Sequence, residues 1–181
     1  MKLLIASDIH GDITSARAVI EAYKKERCDR ILLLGDLLYF GPRNSLTETY
    51  SPKEVISLLN QHRDIILTVR GNCDSEVDQM VLDFPIMADY CYLDLDGIGV
   101  FATHGHHYNT DNPPPLRKGE ILLHGHTHVL KCVEFGNGNL YLNPGAATFP
   151  KEGNPKTYMV YENRTFTVKT FNGKEIFTKE L

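Results

Sequence analysis

Five short apolar runs in this sequence each end directly in a cluster of Asp, Asn or His residues. The runs cover residues 3–6, 31–34, 65–69, 98–103 and 121–123, and each has the length of a buried strand. The polar clusters that follow them are Asp8-Ile9-His10, Gly35-Asp36, Gly71-Asn72-Cys73-Asp74, His104-Gly105-His106 and His124-Gly125-His126-Thr127-His128. Ligands of α/β proteins bind outside the carboxyl ends of the strands. The pattern therefore predicts an α/β fold whose strand ends bring these side chains to one crevice.

The two halves of the chain carry different secondary-structure patterns. The first half alternates strands at residues 2–6, 30–34 and 64–69 with helices at residues 12–26, capped by Asp12, and from Ser51-Pro52, with Glu54 as capping-box partner. This alternation predicts a parallel sheet with right-handed crossovers. The second half predicts strands and hairpins at residues 90–95, 98–103, 120–123, 128–135, 139–142, 158–162, 165–171 and 175–179. We expect two sheets packed face to face, with helices outside, in a single domain over residues 1–181.

Composition and charge argue against several classes of protein. No stretch approaches the roughly 20 apolar residues that span a bilayer, and the apolar run after Lys2 is too short for a secretory signal. The net charge of −4 argues against stable nucleic-acid binding. The four cysteines form no C-x-x-C pair, so we expect free thiols in a cytoplasmic protein. A homo-oligomer stays an open alternative.

Seven of the clustered side chains are of the types that bind divalent ions: Asp8, His10, Asp36, Asn72, His104, His126 and His128. One tetrahedral site takes about four ligands, so seven candidates indicate two ions that share a bridging carboxylate. Asp36 is the natural bridge, because it stands alone between pairs of candidates. The pairs Asp8/His10 and His126/His128 would each face one ion if the chain were extended there. Two ions can clamp the attacking and leaving oxygens of an in-line displacement.

Each of these residues also has a simpler interpretation when it is taken alone. An Asp after a strand commonly caps a helix or forms a turn, and a His is commonly a satisfied core or surface group. The occurrence of all the clusters at five strand ends favours metal binding.

These motifs resemble those of the calcineurin-like metallophosphoesterase family. The matching strings are D-x-H-G at residues 8–11, G-D at 35–36, G-N-C-D at 71–74, T-H-G at 103–105 and G-H-T-H at 125–128. The longer strings GPRN at 41–44, GNCDSEVDQM at 71–80 and NPGA at 143–146 resemble the YfcE-type phosphodiesterases of bacteria. The resemblance implies a four-layer αββα sandwich of two mixed β-sheets, the metallophosphoesterase fold, with a dinuclear metal site.

The resemblance also implies a ligand set and a reaction. Asp8, His10 and His128 would hold one ion, Asn72, His104 and His126 would hold the other, and Asp36 would bridge them. The ions would be divalent, with Mn²⁺ preferred and Zn²⁺, Fe²⁺ or Ni²⁺ as alternatives. The implied reaction is hydrolysis of a small phosphodiester by a metal-bridging hydroxide, and Asp36, Asn72 and Cys73 are the predicted catalytic residues.

Cys73 departs from the motif of many relatives, which have His at this position. That His is thought to stabilise charge or protonate the leaving group, and a thiol is a poorer donor than imidazolium. We therefore expect phosphodiesters rather than monoesters with poor leaving groups. The alternative for Cys73 is a small buried filler beside the site.

Weaker predictions concern the surroundings of the site. Arg43 is a predicted substrate contact, and His106 is predicted to contact the substrate or to support a metal ligand. His124 is expected to support ligands or close the cavity. Asp74 is expected to cap a helix that starts near Ser75, with a hydrogen bond toward a ligand as the alternative. Two other functions stay open, a metal-dependent phosphomonoesterase or protein phosphatase and a non-catalytic interaction scaffold on the same fold. A scaffold has no need for a full ligand set, so the seven filled positions favour the enzyme.

Overall fold

A computed structural model describes residues 1–181, whose eleven strands form two mixed β-sheets. The strands are β1 (Leu3–Ala6), β2 (Arg30–Leu33), β3 (Ile66–Thr68), β4 (Tyr90–Leu95), β5 (Ile98–Thr103), β6 (Ile121–Leu123), β7 (Lys131–Phe135), β8 (Asn139–Asn143), β9 (Thr157–Glu162), β10 (Thr165–Thr170) and β11 (Glu175–Glu180). The α-helices are α1 (Ile13–Glu26), α2 (Pro52–Asn60) and α3 (Glu76–Gln79), and a 3₁₀ turn covers Arg63–Ile65.

Each sheet contains three neighbouring parallel strands. The first sheet has the order β11-β10-β9-β1-β2-β3, in which β1, β2 and β3 are parallel and β9 joins β1 antiparallel. The second sheet has the order β4-β5-β6-β8-β7, in which β5, β6 and β8 are parallel. Parallel neighbours end at the same edge of a sheet, so the polar clusters that follow them come together.

Both faces of the central strands are buried, which explains why their sequences are continuous apolar runs. In β1, Leu3 and Ile5 belong to the core between the sheets, while Leu4 and Ala6 belong to the core under the helices. Helices α1 and α2 cover the outer face of the first sheet, with Val19 and Val55 fully buried there. These layers form the predicted metallophosphoesterase sandwich.

The outer face of the second sheet is covered by a loop instead of a helix. Phe101, Leu122 and Tyr141 form a small apolar cluster on that face, and Tyr108 and Leu116 from the loop between β5 and β6 pack against it. No helix follows α3 in the chain, and the outer layer on this side is therefore irregular.

Most predicted strands are confirmed, and the differences have local causes. The third strand begins at Ile66, because the preceding residues form the 3₁₀ turn. The strand predicted from His128 begins at Lys131. The prediction of a capping box at the start of α2 is wrong. The Ser51 hydroxyl donates to the Glu54 carboxylate at 3.0 Å and accepts no backbone N–H. All four cysteines are free thiols, as predicted.

The three helices have 14, 9 and 4 residues. None of the three helices combines the length and the apolar character that a bilayer span requires.

Candidate metal centre

Five of the seven predicted ligands have left-handed backbone conformations. The φ angles are +61° for Asp8, +51° for His10, +56° for Asp36, +63° for His126 and +60° for His128. Non-glycine residues adopt this conformation at a cost of order 1–3 kcal/mol each, and such strain concentrates at functional sites. The expectation of an extended chain at the two spaced pairs is therefore wrong. Tight turns at the strand ends aim these side chains.

Asp8, His10 and His128 form the first ligand cluster. The Nε2 atoms of the two imidazoles lie 3.3 Å apart, and Asp8 Oδ1 lies 3.2 Å from that of His128 and 3.6 Å from that of His10. Each imidazole donates its Nδ1–H to a backbone carbonyl, His10 to Tyr39 at 2.7 Å and His128 to Phe149 at 2.8 Å. This pairing leaves each Nε2 with a lone pair that faces the cluster.

Asn72, His104 and His126 form the second ligand cluster. His104 Nε2 lies 3.0 Å from Asn72 Oδ1 and 3.1 Å from His126 Nδ1. Its Nδ1–H donates to the Leu34 carbonyl at 2.6 Å, so its Nε2 faces the cluster and can bind an ion once it is deprotonated. His126 therefore belongs to a different cluster from His128, although only one residue lies between them in the chain.

Asp36 lies between the two clusters. Its Oδ2 is 3.6 Å from His10 Nε2 in the first cluster and 3.4 Å from His104 Nε2 in the second. Its Oδ1 accepts the backbone N–H of Cys73 at 2.8 Å, which helps to fix the orientation of the carboxylate. The Asp36 carboxylate is therefore within reach of both clusters.

The two carboxylates dominate the electrostatics of the site. Burial alone would raise the pKa of Asp8, but His10 and His128 hold it well below its usual value. Burial alone would lower the pKa of His104, yet hydrogen bonding to Asp36 and the charges of both carboxylates raise it to about 9. The pKa of His10 is raised against burial by the same two carboxylates. The two carboxylates therefore favour positively charged groups or ions in the site.

The donor set fits divalent metal ions. Imidazole nitrogens and carboxylate oxygens face one another and the amide oxygen of the exposed Asn72 across 3.0–3.6 Å, and Asp8 Oδ1 has no hydrogen-bond partner of good geometry. Such an arrangement of acceptors is unfavourable unless a cation lies between them. Imidazole nitrogens and carboxylate oxygens are ligands of borderline and hard divalent ions.

Asp74 holds the backbone of the site and does not cap a helix. Its buried carboxylate accepts the N–H groups of Asp36 and Leu37, both at 2.8 Å, and of Gly71 at 2.7 Å. The predicted cap is wrong, because Ser75 and Asp78 form the capping box of α3. The contact requires glycine at position 71, since a Cβ there would lie 2.1 Å from Asp36 Oδ1.

A central cavity of about 170 Å³ opens over both clusters. It is lined by His10, Asp36, Gly41, Pro42, Arg43, Asn44, Asn72, Cys73, His126, His128 and Lys151. The cavity includes the predicted substrate contact Arg43, and Cys73 lies half-buried in its wall. Burial, followed by the nearby carboxylates, raises the pKa of the Cys73 thiol to about 12, so the thiol is neutral.

Sequence reasoning missed Lys151, which adds a second cation to this wall. No motif contains it. Its backbone N–H donates to the His128 carbonyl at 3.1 Å, and this tertiary contact places it at the cavity.

His106 and His124 lie outside the central cavity and line a neighbouring one. His124 is buried, stacks on Tyr141 with ring centroids 4.4 Å apart, and directs Nδ1 at the Gly125 carbonyl, 3.0 Å away. It makes no hydrogen bond to a predicted ligand. The His106 ring lies 5.4 Å from that of His104.

Comparisons with known proteins agree with this geometry. Residues 1–165 match the model of the calcineurin-like phosphoesterase superfamily domain. The phosphodiesterase YfcE of Escherichia coli is 40% identical over 179 residues, which cover 99% of this chain and 97% of that protein. A solved structure of E. coli YfcE superposes with a TM-score of 0.95, covering 99% of this chain and 98% of that one. A phosphodiesterase of Methanocaldococcus jannaschii is 27% identical, covering 80% of this chain and 83% of that protein.

Proposed function

The chain belongs to the calcineurin-like phosphoesterase superfamily and is a hydrolase of phosphoesters, and on this premise we propose that it is a dinuclear metal-dependent phosphodiesterase. The observation that carries the proposal is the position of Asp36, whose Oδ2 lies within 3.6 Å of one imidazole from each ligand cluster. The relatives named as phosphodiesterases support the choice of diesters.

We propose that Asp8, His10 and His128 hold one divalent ion and that Asn72, His104 and His126 hold the other, with Asp36 shared. When bound, two such ions would acidify a water molecule and offset the negative charge of the phosphoryl group. Mn²⁺ is the proposed ion, with Zn²⁺, Fe²⁺ and Ni²⁺ as alternatives for the same donor set.

The remaining side chains of the central cavity suit a phosphate group. Arg43 and Lys151 provide two cations, and the Arg43 guanidinium can bond two phosphate oxygens at once. In the proposed reaction a water oxygen forms a bond to phosphorus, and the bond from phosphorus to one ester oxygen breaks. A phosphomonoester and an alcohol result, and the alcohol takes up one proton of the water.

Because the Cys73 thiol is neutral, we propose a diester with a good leaving group, and not a monoester, as the substrate. A weak acid transfers a proton slowly to a departing alkoxide, so the leaving group must depart largely without its help. A monoester also brings one more negative charge close to the carboxylates of Asp8 and Asp36.

The test measures hydrolysis of bis(p-nitrophenyl) phosphate and p-nitrophenyl phosphate after removal of metal by a chelator and after return of Mn²⁺. Activity is expected to vanish with the chelator, to return with Mn²⁺ and to favour the diester. Asp36→Asn should lose turnover, while Asp83→Asn, at an exposed position, should keep it. Activity that is indifferent to chelation would overturn the metal mechanism. A preference for the monoester would favour the phosphatase alternative, and a folded, metal-loaded but inactive protein would favour the scaffold.

The four free thiols also support a reducing compartment, and we propose a cytoplasmic location on this ground. Fractionation of cells that express the protein tests this proposal, and recovery from the periplasmic fraction would contradict it.

A further inference from the structure

A second cavity, here called the side cavity, opens next to the central cavity. Its volume is about 370 Å³, within the range of cavities that hold small organic molecules. His126, a ligand of the second cluster, borders both cavities, so the two spaces share one wall. Lys151 and Glu152 are consecutive, and the first lines the central cavity while the second lines the side cavity.

The two cavities differ in charge. The central cavity presents two cations, Arg43 and Lys151, and one carboxylate, Asp36, whereas the side cavity presents two carboxylates, Asp111 and Glu152, and one ammonium, Lys131. A phosphate therefore favours the central cavity, and the side cavity disfavours a second anionic group.

The walls of the side cavity are polar and contain buried nitrogen atoms without partners. His124 Nε2 and His106 Nδ1 are both buried and make no hydrogen bond. His124 donates its Nδ1–H to the Gly125 carbonyl, which can only accept, so its Nε2 is an acceptor. A buried acceptor without a protein partner favours an O–H or N–H donor in the side cavity, and a hydroxyl group of a ligand can take this place from water.

A phosphodiester carries an organic group on each side of phosphorus. With phosphorus in the central cavity, one group can reach the side cavity past His126, which borders both. We propose that the side cavity binds an uncharged, hydroxyl-bearing arm of the diester, of sugar or nucleoside size, and thereby selects the substrate. This inference rests on the proposed phosphodiesterase function.

Thr110 provides a way to block the side cavity without touching a ligand cluster. It is exposed and lines the side cavity, so Thr110→Phe places a ring in the space that the arm would take. Thr178→Phe, on the exposed face of β11, adds the same ring far from both cavities and serves as the matched control.

The test compares kcat/KM for p-nitrophenyl phosphodiesters that share the leaving group and differ in the other arm. The arms are methyl, phenyl, glucosyl and thymidyl, with Mn²⁺ present throughout. The wild-type protein is expected to prefer a glucosyl or thymidyl arm over methyl by about tenfold or more, and the faster of the two distinguishes a sugar from a nucleoside. Thr110→Phe should remove that preference, so that the ratio of kcat/KM between the hydroxyl-bearing arms and methyl falls to about one, while Thr178→Phe should keep the wild-type ratio.

Equal kcat/KM for all four arms would overturn the inference and leave the phosphodiesterase function standing. A preference that survives Thr110→Phe, or a phenyl arm preferred over both hydroxyl-bearing arms, would also overturn it. Failure of the wild-type protein to cleave any of the four esters would instead contradict the proposed function itself.

Discussion

The carboxylate of Asp74 accepts the backbone N–H of Asp36 at 2.8 Å, so a side chain in the third motif holds the backbone of the second. The same carboxylate accepts the N–H of Gly71, where the chain passes closest to Asp36. Asp36 thus owes its position between the two ligand clusters to a residue that contributes no atom to either of them.

Asp74→Asn tests this positioning role. An amide presents N–H donors to backbone N–H donors and loses part of the acceptor set, so Asp36 should shift. We expect kcat/KM and metal affinity to fall by about ten- to a hundredfold, as for other residues that orient metal ligands. Steady-state kinetics and metal titration measure both effects. Asp78→Asn, which disturbs only the capping box of α3, is the control and should keep wild-type values. Unchanged metal affinity in Asp74→Asn would contradict the role.

Metal binding is expected to saturate at about two ions per chain. Titration of the metal-free protein with Mn²⁺ should also raise the free energy of unfolding, by about 2.7 kcal/mol per site at a free concentration of 100 times Kd. His128→Ala removes a ligand of the first cluster only and should retain about one ion. His62→Ala removes an imidazole that bonds the Leu58 carbonyl away from the site, and should retain both. A single ion in the wild-type protein would refute the shared role of Asp36.

Cys73→His is expected to widen the range of leaving groups. An imidazole at this wall of the central cavity is a far better proton donor than a thiol whose pKa is about 12. Turnover of esters with poor leaving groups should rise, by about tenfold or more, while activated p-nitrophenyl diesters change little. The measurement is the dependence of kcat/KM on the pKa of the leaving alcohol. Cys73→Ala is the control. If Cys73→Ala abolishes the cleavage of activated diesters, the thiol takes part in catalysis beyond what we propose.

Glu26 is expected to stabilise the fold in a pH-dependent way. Burial alone would raise the pKa of its carboxyl, but bonds from Lys169 and Tyr158 lower it below 4.5. A folded-state pKa below the unfolded one means that the stabilisation is present above pH 4.5 and is lost as the pH falls through the folded value.

Glu26→Gln should therefore reduce the free energy of unfolding by roughly 1–3 kcal/mol at pH 7 and by less at low pH. Denaturant unfolding at both pH values measures this difference. Glu54→Gln is the matched control, because the Glu54 pair with Arg17 is more than half exposed on both sides and should contribute little. Equal losses for Glu26→Gln at both pH values would contradict the charge-based explanation.

The succession of strands along the chain and the identity of the clustered residues could be predicted from the sequence. Apolar runs such as Leu3–Ala6 mark strands buried on both faces, and polar residues directly after such runs lie at strand ends. The hairpin predicted over residues 90–103 has the same bounds in the structure. Asp96 and Gly97 both take the positive φ angles that its two-residue turn requires.

The directions of the side chains could not be predicted in the same way. The left-handed conformations of His126 and His128 send neighbouring imidazoles to opposite clusters, where an extended chain would have sent them to one. Nothing in the local sequence requires this strain. It persists because contacts from other loops stabilise it, such as the Phe149 carbonyl that receives Nδ1–H of His128.

The sequence by itself determined which groups can bind metal ions and that they lie at strand ends, because apolar periodicity and residue chemistry are local properties. The sequence also predicted Asp36 as the residue between the two sets of ligands. The tertiary structure alone decided that Asp74 holds the backbone of Asp36 and that Lys151 joins the cavity wall. The reason is physical. These relationships depend on hydrogen bonds between loops far apart in the chain, such as that from the Lys151 N–H to the His128 carbonyl, and such bonds form only when both sheets are packed.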